Sequence, residues 1–235
     1  MLAILRRDLR SYFNSPIAYV LIGLFMIILG LFFNSGLSSG GSDFMGSFVS
    51  NMSFLLLFIV PIMTMRVFSE DKRNGTEVLL LTSPARVTEV VVGKFLASFC
   101  VFLIMTAVTL VFPIIIIIFG GPDIPLIFSA YLGYILYGAV YVAIGVFASS
   151  ITENQIVAAI ISFVTLFAMT ALDFVASFLS GFPAKALTWL SLNERYSDFG
   201  SGIIDLTSVV FMISFAAVFV FLTVRVIERK RWSQG

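Results

Sequence analysis

Histidine does not occur in this chain, and cysteine occurs once, as Cys100 inside an apolar run. The first absence excludes Ser-His-Asp and Cys-His nucleophile pairs, zinc sites built on imidazole, and a histidine proton switch near neutral pH. The second excludes an intrachain disulfide and a thiolate metal cluster, which leaves Cys100 as a packing residue. Charge is scarce as well: 11% of residues are Asp, Glu, Lys or Arg, against roughly a quarter in an average soluble domain. The formal net charge is +1, so no global excess of either sign points to nucleic acid or to an acidic substrate. Whatever charge does here must come from where it is placed.

What the chain has instead is 60% hydrophobic residues, gathered into long runs. A membrane-crossing helix needs about 20 mostly apolar residues to span about 30 Å of hydrocarbon. Six stretches qualify: 17–33, 49–65, 95–119, 126–149, 156–178 and 206–227. A membrane β-barrel would need alternating segments of about ten residues, which the run Ile114 to Phe119 and its neighbours do not supply. The fold class expected is therefore all-α, a polytopic membrane protein forming one transmembrane domain over 1–235.

Orientation follows from lysine and arginine, because basic residues near helix ends are retained on the cytoplasmic side. Arg6, Arg7 and Arg10 precede the first run. Arg66, Lys72, Arg73, Arg86 and Lys94 lie between the second and third, and Arg225, Arg229, Lys230 and Arg231 close the chain. Alternating spans put these 12 of the 14 basic residues on one side and only Lys185 and Arg195 on the other. Both termini are thus expected in the cytoplasm, with the protein in the cytoplasmic (inner) membrane. The N-terminal arginines and apolar run are not a signal peptide, since the run ends in Phe32, Phe33 and Asn34 without a small-residue cleavage site.

On a helical projection of residues 1–15, Leu2, Leu5, Leu9, Tyr12 and Phe13 share one face and Arg6, Arg7 and Arg10 another. That pattern suits a helix lying in the headgroup plane, with Pro16 marking the bend into the first span. A frayed tail whose arginines only set topology is the plainer alternative. At the other side, residues 179–205 are expected as short re-entrant or interfacial helices, because Phe182, Leu187, Trp189, Leu190, Leu192 and Phe199 are too apolar for a solvated loop. Trp189 and Tyr196 are expected at headgroup depth.

Within the spans polar groups are few. Asp173 is the one carboxylate inside a run, roughly 26 Å from Ile156 at 1.5 Å per residue, and is expected near the outer boundary, interfacial or locally paired. A proton or sodium relay would need several such groups at the midplane. The fourth run carries Tyr134, Tyr137, Gly138, Tyr141 and Gly145 on one side, a stripe that suits close helix packing and, as the second reading, a translocation path.

The longest loop on the basic side, 66–94, reads RVFSEDKRNGTEVLLLTSPARVTEVVVGK. A charged cluster of Arg66, Glu70, Asp71, Lys72 and Arg73 breaks at the turn pair Asn74-Gly75. Ser83 and Pro84 then read as an N-cap and first-turn proline for a helix that carries Glu89 and runs through Gly93 and Lys94 into the third span. Between them Val78, Leu79, Leu80 and Leu81 form an apolar run that needs a cover: a partner protein, or the membrane and helix ends of this same chain.

The run GTEVLLLTSP after the charged cluster, followed by Gly-Lys-Phe at 93–95 and an apolar helix, resembles the permease subunits of ABC-2-type transporters. The opening Arg7, Ser11, Tyr12, Phe13, Ser15, Pro16, Ile17, Ala18 and Tyr19, and the run from Gly145 through Ser149, Ser150, Ile151, Thr152, Glu153, Asn154, Gln155 and Ile156, are similar to the gliding-motility permease GldF and its relatives. The resemblance implies an ABC-2-type exporter fold in which two permeases, identical or not, pair and dock coupling helices onto separate ATPase subunits. It places the coupling helix at about 76–82, with Glu70, Arg73, Thr76, Glu77, Leu79, Leu80 and Thr82 as ATPase-coupling residues, Arg6, Arg7 and Arg10 on an interface helix, and 179–205 as the outer re-entrant segment. ATP and Mg would then be held by the partner. This chain carries no G-x-x-x-x-G-K-[ST] phosphate loop, and Gly93-Lys94 lacks both the glycine-rich approach and the following hydroxyl. A stand-alone secondary transporter or channel is the alternative reading.

Overall fold

A computed structural model of the 235-residue chain describes residues 1–39, 44–76, 86–120, 124–179 and 181–233. Every described element is helical. In chain order they are α1 (Leu2–Asn14), α2 (Pro16–Ser39), α3 (Phe44–Thr64), α4 (Ser69–Arg73), α5 (Val87–Thr109), α6 (Val111–Gly120), α7 (Ile124–Ile151), α8 (Gln155–Ser177), α9 (Phe182–Leu190), α10 (Leu192–Gly200) and α11 (Leu206–Ser233). Six helices are long and apolar enough to cross a membrane, which agrees with the all-α polytopic class read from the sequence.

Consecutive spans run antiparallel, so the bundle has two ends. One end gathers α1, residues 65–76, the start of α5 and the junction of α7 with α8; since it carries most of the arginines and lysines, it is the basic end. The opposite end holds the starts of α3 and α7 together with α9 and α10.

α7 is the central helix, packed against α3, α5, α8, α10 and α11. Three glycines allow these approaches, each facing a different neighbour. A Cβ built on Gly133 would lie 2.4 Å from Phe199 of α10, one on Gly138 would lie 2.1 Å from the Phe102 ring of α5, and one on Gly145 would lie 2.1 Å from the Thr64 hydroxyl of α3. Small residues let helices approach where lipid offers no hydrophobic drive for association. By contrast α2, α8 and α11 turn broad apolar faces outward, with Leu31, Ile160, Phe167 and Ile213 all more than half exposed. At the opposite end the rings of Phe33, Phe48 and Phe112, with centroids 5.0–5.7 Å apart, tie α2, α3 and α6 together.

The third apolar run, 95–119, is entered by a helix that already runs from Val87 through Glu89, Gly93 and Lys94, as the sequence reading has it; Val87, Val90 and Val91 are buried and Lys94 finds partners inside the protein. Helical geometry is interrupted at Leu110, where α5 gives way to α6. Pro113 has no N–H to donate to the carbonyl of Thr109. The Tyr131 hydroxyl of α7 donates to that carbonyl instead, at 3.1 Å. The N-cap expected at Ser83 and Pro84 lies outside the described residues; Arg86 occupies the N-cap position of α5.

In 179–205 the chain forms α9 and α10. Trp189 is 63% exposed and packs edge-on against Phe211, whereas Tyr196, expected at headgroup depth, is turned into the protein. Tyr196 is 4% exposed, its ring lies 4.8 Å from that of Tyr137, and its hydroxyl donates to the carbonyl of Val49 at 3.1 Å. A phenol with a carbonyl in reach gains more from burial here than from a seat among headgroups. Asp173 sits one turn before the end of α8, partly exposed.

Candidate functional site

The basic end is held by a junction of buried charge. Lys94, two turns into α5, is 2% exposed. An ammonium so placed costs several kcal/mol unless it is paired and its hydrogens are all used. Its Nζ lies 2.6 Å from Asp71 Oδ2 and 3.2 Å from Asp8 Oδ2, donates to the carbonyl of Val67 at 2.6 Å, and stands 5.1 Å from the centre of the Phe68 ring. Asp8 belongs to α1 and Asp71 to α4, so one ammonium joins three separate elements. Arg7 bridges the same two carboxylates from outside, at 2.8 Å from Asp8 and 3.5 Å from Asp71.

Polar bonds extend this junction to the neighbouring helices. Tyr12 of α1 donates to the carbonyl of Met63 at 2.9 Å and lies 3.3 Å from the Ser98 hydroxyl. Burial pushes the Tyr12 phenol up to about 12, an effect that its bond with Ser98 only partly offsets. Arg66 grips both oxygens of Glu70 at 3.0 and 3.1 Å and donates to Ser15 at the α1 to α2 bend. Residues 65–68 turn without regular helical bonding, and Ser149 at the end of α7 satisfies groups this frees. Its hydroxyl accepts from the N–H of Phe68 and of Ser69, at 3.0 and 3.2 Å, and donates to the Met65 carbonyl at 3.0 Å. Lys72, 8% exposed, donates to the carbonyl of Ser150. Thr76 closes the turn at Asn74-Gly75 by donating to the carboxylate of Asp71 at 2.9 Å, with Gly75 at φ +69, a value that favours glycine.

Of the residues expected to couple to an ATPase, Glu70 and Thr76 lie in this junction and Arg73 is exposed beside it. Glu77, Leu79, Leu80 and Thr82 fall outside the described residues, as does nearly all of the expected coupling helix at 76–82. On α1, Arg6 and Arg10 are exposed and Arg7 is engaged by the carboxylates. The apolar face of that helix does not lie wholly toward lipid: Leu9, Tyr12 and Phe13 pack against the core, and Gly93 of α5 leaves space for Ile4.

Tyr134, Tyr137 and Tyr141 form the buried interior of α7, all at most 2% exposed. The hydroxyls of Tyr137 and Tyr141 are 2.6 Å apart, whereas that of Tyr134 has no hydrogen-bond partner among the described residues. Sequence reasoning missed Lys94, Asp8, Lys72 and Ser149. The signals available were a lone aspartate within an arginine-rich helix and a lysine two turns into an apolar helix, and both are ordinary features of a loop that sets topology.

No group of three metal-ligating side chains occurs among the described residues. Buried ion pairs between helix ends, at one end of six apolar spans, define the class as a polytopic membrane protein. Residues 14–225 match the family described as ABC-2 family transporter protein, and the chain belongs to that family. It is the permease, the membrane component, and not the ATPase. No curated protein matches the chain.

Proposed function

We propose that this permease takes its drive from a separate ATPase subunit that docks on the segment at about 76–82, and uses it for export or for conformational work across the cytoplasmic membrane. The observation that carries this reading is the anchoring on both flanks of that segment. On one side Asp71, Lys72 and Ser69 are fastened to α1, α5 and α7; on the other α5 begins at Val87. A displacement imposed on the segment at about 76–82 is therefore positioned to reach α1, α5 and α7. The apolar Val78, Leu79, Leu80 and Leu81 supply the kind of anchor that fills a groove on a partner.

In this reading Glu70, Arg73, Thr76, Glu77, Leu79, Leu80 and Thr82 form the docking region, ATP and Mg stay on the partner, and two permeases pair through the outward apolar faces. Both termini lie in the cytoplasm. The runs at Arg7 to Tyr19 and Gly145 to Ile156 further support a place among permeases of the GldF type.

The experiment is affinity purification of the tagged chain from its native membranes. A nucleotide-binding ATPase is expected to co-purify, and Leu79→Glu with Leu80→Glu to release it while the permease keeps its melting temperature. Two buried anchors at about 2 kcal/mol each correspond to a loss of affinity of roughly a thousandfold. An ATPase that stays bound to the double variant overturns the docking assignment.

A further inference from the structure

Beside the buried junction lies a cavity of about 280 Å3, and the charges that line it are balanced. Arg7, Arg66 and Lys94 face Asp8, Glu70 and Asp71 across it. It far exceeds the roughly 10–15 Å3 that one water needs by this kind of measure. Tyr12 and Arg66 form its wall toward the bundle, and the same two residues bound a second, apolar slot between α2, α3 and α5. That slot is narrow, about 20 Å3, too small to enclose a hydrocarbon chain. Its rim residues Ile17 and Ile62, 38% and 39% exposed, nevertheless turn apolar surface outward directly below the charged cavity.

We infer that this crevice is a binding site for one membrane phospholipid whose zwitterionic head carries a primary ammonium, as in phosphatidylethanolamine. The head occupies the charged cavity, and the acyl chains lie along Ile17 and Ile62. Charge balance selects the head. A lone anion would draw Arg66 from Glu70, and Arg7 from the two aspartates so that Lys94 alone compensates both, whereas a zwitterion exchanges with both members of each pair at no net charge. The ammonium also matters. Three N–H donors can each meet a carboxylate of Asp8, Glu70 or Asp71, while a quaternary ammonium of the same charge has none to give. The phosphate meets Arg7 and Arg66 at the bend from α1 to α2, the level at which an amphipathic helix on a span enters the headgroup layer.

The test uses the intact chain in detergent, incubated with phosphatidylethanolamine, phosphatidylcholine or phosphatidylglycerol of the same acyl composition and examined by native mass spectrometry. One phosphatidylethanolamine per chain is expected, retained about tenfold more than phosphatidylcholine, the worth of one charge-assisted hydrogen bond. Ser11→Trp, which places an indole from the exposed rim into the cavity, is expected to abolish retention without moving the melting temperature in lipid-free detergent; Asn74→Trp at the other rim serves if the first variant folds poorly. Equal retention of phosphatidylcholine, preference for phosphatidylglycerol, no retained lipid, or full retention by a correctly folded tryptophan variant each overturns the proposal. The proposed ATPase capture at about 76–82 is independent of the lipid and is expected to survive in both variants.

Discussion

Lys94 shows how much one residue can hold when three elements converge on it. Removing its ammonium leaves two carboxylates facing each other with Arg7 alone to compensate them. Lys94→Met is expected to destabilise the protein by about 3 kcal/mol, the usual scale for breaking a buried ion pair from one side. Adding Asp8→Asn and Asp71→Asn should recover most of that loss, because neutral amides no longer repel. Thermal melting in detergent reads both steps, and a triple variant no more stable than Lys94→Met would show that the lysine serves by its packing alone. Gly138 makes the complementary case for space rather than charge. Its Cβ would meet the Phe102 ring at 2.1 Å, so Gly138→Ala should cost about 1–3 kcal/mol, and Phe102→Leu in the same chain should relieve it. Equal melting of the alanine variant and the parent would refute the close packing. The tyrosine and glycine stripe of α7 was legible because its period is local. The partners of Lys94 were not, since they sit 23 and 86 positions away and linear spacing carries no trace of such distances.

At the scale of elements, the junction of α5 with α6 isolates one backbone group and its stand-in partner. Pro113 orphans the Thr109 carbonyl, and Tyr131 supplies the missing donor at 3.1 Å. Tyr131→Phe should therefore cost about 1–2 kcal/mol, the desolvation of an unpaired buried carbonyl. In a chain that also carries Pro113→Ala, whose N–H can reach Thr109, the same change should cost markedly less. A double-mutant cycle on unfolding free energies measures the difference, and strictly additive costs would sink the explanation. Apolar length exposed the six spans in the sequence. It could not show what Lys94 holds, because that residue resembles a boundary charge until its partners are known. Pro113 was visible too, but its consequence depends on a tyrosine from another helix.

The whole molecule is organised around α7, whose 28 residues reach about 42 Å at 1.5 Å per residue, well beyond the roughly 30 Å hydrocarbon core. Its excess length at the basic end carries Ser149 and Ser150, the residues that fasten 65–72, so the junction belongs at the membrane surface rather than within it. In the proposed orientation that surface is the cytoplasmic one, because arginines and lysines near helix ends are retained on that side. Cys100 can be replaced by alanine to give a thiol-free chain, and single cysteines then placed at two exposed positions on opposite ends, Arg73→Cys and Ser201→Cys. A membrane-impermeant maleimide applied to intact cells is expected to label Ser201→Cys, and to reach Arg73→Cys only after permeabilisation. The reverse pattern would invert the protein in the membrane and move the docking segment away from any ATPase; labelling of both in intact cells would contradict the six-span path itself. Only the expected pattern puts the proposed docking segment at about 76–82, its anchored flanks and the cytoplasmic ATP on the same side.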